Sequence, residues 1–376
     1  MKVIKVGLKN TPYKIYIDYK LTKSIPKYIK HLKLGNFGLI ITSNKVYSLY
    51  KKQITNIFKA KNYRVLRVPD GEIAKSKECF LKVIAEVTKA DSLDKKLFII
   101  CLGGGTVGDL GGFLASIYKR GIPYIHIPTT LLSQIDSSIG GKTGIDLKIA
   151  KNILGAFYQP KAVFIDPGFL TTLPVPELKQ GIAEAIKYGV IKNRDLFDFL
   201  KKNYAKALKL ERTSIMHIIC TCVKIKAKIV TDDEKETRGL RTILNFGHTF
   251  AHALEASLKY KKISHGEAVS LGMAYAGMLS LYLKKCSLRD YLRLIELLKL
   301  FSLPVRVEFD PQALYKSLAY DKKFTKGKIR MVLLERIGKV GVLDGLSPQI
   351  VRKTLRLFAG DKLTKKGKYG IVPSTI

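Results

Sequence analysis

The sequence predicts an α/β protein of two domains, the first built on an open, mostly parallel sheet and the second mainly helical. Three observations predict it. Short β-branched runs alternate with helical stretches through the first half of the chain, the strand signal nearly vanishes after Pro167, and a glycine-rich run, GGGTVGDLGGF, follows directly on one of the strands. The 376 residues suffice for two hydrophobic cores. An apolar fraction of 47%, with aromatic residues spread throughout, marks a globular chain apart from its C-terminal tail.

The N-terminal segment MKVIKVGLKNTPYKIYIDYK alternates charged and β-branched residues, so it reads as a strand and not as a secretion signal, which needs an apolar stretch. FGLIITS, YRVLRVP, KLFIICL, PYIHIPT and AVFIDP read as strands, several of them apolar on both faces as a buried parallel sheet requires. Between them VYSLYKKQITNIFKAK, KECFLKVIAEVTKA and DLGGFLASIYKR carry helical spacing, which gives the βαβ alternation of a nucleotide-binding sheet. Gly103, Gly105 and Gly108 match G-x-G-x-x-G at a strand-to-helix junction, where backbone amides and a helix N-terminus can approach a pyrophosphate. A tight turn with close helix packing would leave the same trace. PDGEIAKS, after another strand, could approach the nucleotide from a neighbouring loop. Residues 177–302 read as successive helices. The uncharged run Ala268–Leu283 is too short for a membrane span and suits a buried helix. IRMVLLERIGKVGVL reads as a late hairpin. The expected domains are 1–169, 170–360 and a basic tail, 361–376.

Cys79, Cys101, Cys220, Cys222 and Cys286 are odd in number and lack metal-ribbon spacing, so free thiols and a cytoplasmic location are expected. The net charge of +37 raises nucleic acid as a partner. The lysines, however, are strewn along almost every segment, with no binding motif and no basic stripe interleaved with aromatics. A small phosphorylated, anionic substrate is the expected partner, with no nucleic acid and no membrane.

Three of the six histidines fall within the run NFGHTFAHALEASLKYKKISHGEAV. His248 and His252, four apart, share one helix face, and His265 opens the next helical pattern. Imidazoles in such a group suit Zn²⁺, although a histidine pair on a helix can also simply bond to backbone. The HExxH protease pattern is excluded by Thr249. Glu184 lies in GIAEAIKYG, otherwise apolar or small, where a carboxylate wants a cation; a metal would supply one, and Lys187 shares its face. SSIGGKTG and AKNILGAF place Lys142, Lys151 and Asn152 in glycine-containing, loop-like contexts, with Asp136 just before. Singly these are surface residues; converging, they would form an anion site.

With those residues in view, the chain resembles the 3-dehydroquinate synthases, from about residue 65 to 345, through GGGTVGDLGGF, YKRGIPYIHIPTTLLSQIDSSIGGKTGID, KNILGAFYQP, TLPVPELKQGIAEAIKYGVI, GLRTILNFGHTFAHALE, HGEAVSLGM and YDKK. The resemblance implies a Rossmann-like nucleotide-binding α/β domain followed by a mainly α-helical metal- and substrate-binding domain. It implies conversion of 3-deoxy-D-arabino-heptulosonate 7-phosphate to 3-dehydroquinate in the shikimate pathway, with NAD⁺ and Zn²⁺, Co²⁺ being possible. Carried onto this chain, Glu184, His248 and His265 bind the metal, and His252 supports the site or handles a proton. NAD⁺ contacts fall on Asp70, Gly71, Glu72 and Lys75, on Gly104, Gly105, Thr106, Val107, Gly108 and Asp109, on Thr129 and Thr130, on Lys142 and Lys151, and on Phe169, Leu170, Thr171 and Thr172. Lys142, Lys187, Arg241 and Asn245 join His252 as catalytic residues. Asp136, Lys151, Asn152, Lys226, Lys322 and Lys323 fall among substrate contacts, and Arg120 reaches a partner's site in a homodimer. Ala251, Ile73 and Ala74 depart from the family's usual residues without removing a metal or phosphate group. The rival readings are another sugar phosphate cyclase, a metal-dependent polyol or glycerol phosphate dehydrogenase, and a basic nucleic-acid-binding protein on a degenerate enzyme fold.

Overall fold

The computed structural model describes residues 1–147, 150–258, 263–320, 324–325 and 328–360. Lys322, Lys323 and the tail 361–376 lie outside the described residues. By contact the chain makes two compact units, Met1–Gly181 with Leu210–Thr237, and Ile182–Lys209 with the chain from Arg238 onward.

The first unit runs β1 (Lys2–Val6), β2 (Tyr13–Ile17), α1 (Ile25–His31), β3 (Phe37–Ser43), α2 (Asn44–Ile57), β4 (Tyr63–Val68), α3 (Lys77–Ala90), β5 (Leu97–Gly103), α4 (Gly105–Ile117), β6 (Tyr124–Pro128), β7 (Lys142–Leu147), β8 (Ala150–Phe157) and β9 (Ala162–Ile165). Its sheet has the order β1-β2-β9-β6-β5-β3-β4, parallel throughout except where β1 meets β2. The five β-branched runs of the sequence are β3, β4, β5, β6 and β9. The N-terminal segment, expected as a strand, folds as two, because Asn10-Thr11-Pro12 lies between them and favours a turn.

Burial on both faces explains the continuous apolar runs. In β5, Ile99 and Cys101 enter a core with α3 and α4, while Phe98, Ile100 and Leu102 enter a second core with α1 and α2. The chain steps from β3 out to β4 and then returns to the other side of β3 as β5. At such a reversal the loops leaving the carboxyl ends of the strands diverge and leave a crevice. The glycine run leaves β5 at that point. Asp70–Lys75 follow β4, Thr129 and Thr130 follow β6, and Phe169–Thr172 follow β9, all at the carboxyl ends of parallel strands.

Helix α4 starts at Gly105, four residues before its helical pattern becomes visible in DLGGF. Its glycines bring it flush onto the sheet. A Cβ on Gly108 would lie 2.0 Å from His126 Cε1 of β6, and one on Gly111 would lie 2.4 Å from Cys101 Sγ. SSIGGKTG and AKNILGAF, expected as loop-like, instead contribute to an antiparallel hairpin, β7 with β8. Gly144 and Gly155, which face each other across it, dilute the strand signal in the sequence.

The chain continues through α5 (Val175–Lys192), α6 (Arg194–Lys202) and α7 (Tyr204–Leu208), then α8 (Arg212–Asp232), which belongs to the first unit. There Lys226 pairs with Asp136, and the Gly7 N–H donates to Thr231 Oγ1 at 3.1 Å. The second unit adds α9 (His248–Ser257), α10 (His265–Tyr282), α11 (Leu288–Leu300), α12 (Pro311–Tyr320), β10 (Phe324–Thr325), β11 (Lys328–Arg336), β12 (Lys339–Leu346) and α13 (Pro348–Ala359). Helix α10 is buried on nearly every side, as its uncharged run requires, and β11 and β12 form the late antiparallel hairpin. No helix of the described residues is long and apolar enough to cross a membrane.

Candidate functional site

In the second unit three helices present Glu184, His248 and His265 to one another. Glu184 comes from the buried side of α5, and the histidines are the first residues of α9 and α10. Two local devices place them. Gly247, at φ +79°, precedes α9, and Gly272 of α10 lies so close that a Cβ there would be 2.0 Å from Gly247 O, so the start of α9 rests against α10. His265 follows Ser264, whose side chain caps α10 while Glu267 accepts from the Ser264 N–H at 2.9 Å.

Glu184 Oε1 lies 3.3 Å from His248 Nε2 and 3.8 Å from His265 Nε2. One ligand atom from each residue falls within 4.8 Å of the others. A tetrahedral Zn²⁺ with bonds of about 2.0–2.1 Å spaces its ligands roughly 3.3 Å apart, so this set fits such an ion with modest contraction. The other ring nitrogens are engaged as a metal site needs. His248 Nδ1 lies 3.2 Å from Phe246 O, and His265 Nδ1 lies 3.2 Å from Glu255 Oε1, which keeps Nε2 of each ring for a metal.

Charge is arranged to match. Glu184 is fully buried, and Lys187, itself 2% exposed, forms an ion pair with its Oε2. Burial, and then the Lys187 charge, hold the His248 pKa below its ordinary value. For His265 burial acts downward as well, but the hydrogen bond to Glu255 and the charges of Glu184 and Glu255 outweigh it and raise the pKa. His252 is exposed on α9, with its ring 5.6 Å from that of His248. Arg241 is buried and Asn245 half-buried in the turn leading to α9.

The first unit gathers another group. Lys75, 3% exposed, lies 2.9 Å from Asp109, 3.6 Å from Glu72 and 3.7 Å from Asp146, and also donates to Asn152 Oδ1. Lys151 lies 3.7 Å from Glu72. Burial raises the Asp109 pKa to about 6 even with Lys75 beside it. Lys142 pairs with Glu236 at 2.5 Å. Asp70 accepts from the Lys45 N–H, Thr130 bonds to Ser133, and Thr172 bonds to the Tyr50 hydroxyl at 2.6 Å. Arg120 stands exposed in the Tyr118–Arg120 turn with φ +62°. Two residues of these groups, Glu255 and Asp146, escape a reading of the sequence. HALEA and GKTGID quote them, but nothing in either run says that one will meet a histidine ten residues on and the other a lysine from a different turn.

Comparison with known proteins fixes the family. Residues 65–180 match the model of the 3-dehydroquinate synthase N-terminal region, and residues 181–324 match that of the C-terminal region. The chain belongs to the 3-dehydroquinate synthase family. A 3-dehydroquinate synthase of Dictyoglomus thermophilum is 43% identical over 362 residues, 96% of this chain and 99% of that protein. One from Desulforamulus reducens is 41% identical over 346 residues, 91% of this chain and 96% of that protein. Among solved structures, a 2-epi-5-epi-valiolone synthase from Streptomyces hygroscopicus with NAD⁺ and Zn²⁺ bound superposes with a TM-score of 0.84 at 26% identity, over 94% of this chain and 98% of that one. A 2-deoxy-scyllo-inosose synthase with carbaglucose-6-phosphate, NAD⁺ and Co²⁺ gives 0.85 at 23% identity, over 95% and 100%, and shares the fold. The 3-dehydroquinate synthase family match thus spans both units, including the helices that carry Glu184, His248 and His265.

Proposed function

We propose that the chain converts 3-deoxy-D-arabino-heptulosonate 7-phosphate to 3-dehydroquinate and phosphate. The observation that carries this reading is the Glu184, His248 and His265 cluster within a chain that matches the family over both units. Glu184 through a carboxylate oxygen and both histidines through Nε2 would hold a Zn²⁺, with Co²⁺ a workable substitute, and the loops at the carboxyl ends of β4, β5, β6 and β9 would hold NAD⁺. When bound, the metal supplies a Lewis acid for a substrate hydroxyl and NAD⁺ supplies a hydride acceptor that also returns the hydride.

The chain's own residues bind and orient around that chemistry. Lys187 balances the buried Glu184 carboxylate, so the site carries less net negative charge toward an anionic substrate. Lys142, Lys151 and Lys226 offer ammonium groups for phosphate, whereas Arg241 offers the planar fork that suits a carboxylate. Asn152 and Asn245 supply amide donors and acceptors for hydroxyls. His252, exposed with its ring 5.6 Å from that of His248, would pass a proton from a ring nitrogen. We also read the enzyme as a cytoplasmic homodimer in which Arg120 serves the partner's site. The free cysteines among the described residues support that location, and sedimentation equilibrium tests the dimer.

The deciding experiment is phosphate release by purified protein with NAD⁺, before and after chelation and with Zn²⁺ restored. Metal-dependent release without net NADH is expected. Net NADH would instead favour a dehydrogenase, and no release from Zn²⁺-loaded, NAD⁺-bound protein would move the substrate to another phosphosugar.

A further inference from the structure

The hairpin of β7 and β8 does not pair evenly. Ile145 faces Leu154 and Leu147 faces Ala150, so on β8 the three residues Lys151, Asn152 and Ile153 stand opposite the single residue Asp146. The surplus has to bulge, and a bulge takes residues out of the ladder and re-aims their side chains. Asn152 accordingly adopts φ +52°, in the left-handed region that non-glycine residues seldom enter. Its N–H, without a place in the ladder, donates to Asp146 Oδ1 at 2.7 Å.

Asp146 is itself held. It bridges in parallel to Ser76, and its carboxylate lies 3.7 Å from the buried ammonium of Lys75. The same ammonium meets Asp109 of α4 at 2.9 Å and the side-chain oxygen of Asn152. One buried cation therefore joins the glycine-rich helix, the turn after β4 and the bulged corner.

We propose that Asp146 is a positioning residue, which fixes the Lys151–Asn152 corner by accepting the Asn152 N–H and so presents both side chains to an anionic phosphosugar. The proposal rests on the reading of Lys151 and Asn152 as ligands of that substrate. Lys75 holds the carboxylate in place, because moving it would leave a buried ammonium short of a partner. A carboxylate suits the role since a charged acceptor gives the stronger bond to a strained N–H.

The test uses full-length protein with NAD⁺ and Zn²⁺, comparing the wild type with Asp146→Ala and Asp146→Asn. Asparagine keeps an acceptor oxygen at the same reach and alanine does not. For Asp146→Ala, KM for the phosphosugar should rise about 10- to 100-fold with kcat within about two-fold, and Asp146→Asn should restore most of that rise. Amide hydrogen exchange at Asn152 supplies a reading that needs no turnover: protected in the wild type and in Asp146→Asn, fast in Asp146→Ala. An unchanged KM together with an unchanged Asn152 exchange rate in Asp146→Ala would overturn the proposal. So would an equal loss in both variants accompanied by a fall in melting temperature, which would mark a general structural role. If the wild type itself releases no phosphate, the assignment of the reaction fails, and the exchange pattern still decides whether Asp146 holds the corner.

Discussion

His265 is a candidate metal ligand whose free nitrogen is set by a neighbouring carboxylate. Glu255 lies 3.2 Å from its Nδ1 and leaves Nε2 to face Glu184. Removing such a supporting carboxylate typically weakens metal binding about 10- to 100-fold. Glu255→Ala should therefore lower Zn²⁺ affinity by that factor in a competition with a chromogenic chelator, and Glu255→Gln, which keeps an acceptor, should lose less. A second residue sets a pH dependence. Asp109 has its pKa raised to about 6 by burial against an ordinary 3.8, so the folded protein holds that proton more tightly than the unfolded chain. The group favours folding most below about pH 4, and the contribution is lost as pH rises through about 6. Its side chain is 25% exposed, which trims the expected size to on the order of 1–2 kcal/mol. The melting temperature of the wild type minus that of Asp109→Asn should fall by a few degrees between pH 4 and 6.5 and stay level above it.

At the scale of elements, α4 packs flush against the sheet with little room to move. Gly108→Ala sets a Cβ against the His126 ring, an overlap that should cost about 1–3 kcal/mol by urea denaturation. His126→Ala in the same chain should recover much of that loss, so a double-mutant cycle should show coupling above about 0.5 kcal/mol. Sequence patterns exposed the elements unevenly. The β-branched runs gave β3, β4, β5, β6 and β9 because parallel strands buried on both faces leave a continuous apolar signature. The hairpin of β7 and β8 left none, since its glycines and exposed Ile153, Leu154 and Phe157 break any alternation. Residue type alone offered His248, His252, His265 and the enclosed Glu184 as candidate metal ligands; the choice of His248 and His265 over His252 came from the family resemblance, and those two are the ones that meet Glu184. Its supporting contacts were not, because a hydrogen bond between His265 and Glu255 depends on how two helices pack.

For the whole molecule, periodicity identified a run of helices after residue 177 without saying which core each one serves. Helix α8 reads like its neighbours in the sequence, yet its partners are β1 and the turn that holds Asp136. The net charge of +37 is likewise a whole-chain property. It should raise the association rate for a phosphorylated anion, so kcat/KM for the phosphosugar should fall as salt rises from 10 to 300 mM, with kcat nearly constant. The division of the chain has a further consequence in time. The first unit leaves its own sequence at Gly181 and resumes only at Leu210–Thr237, so a ribosome must make the intervening stretch and α8 before that unit can close. At the usual rates of synthesis the unfinished sheet would wait roughly 3 to 11 seconds with its α8 face uncovered, a window in which a nascent-chain chaperone has something to bind.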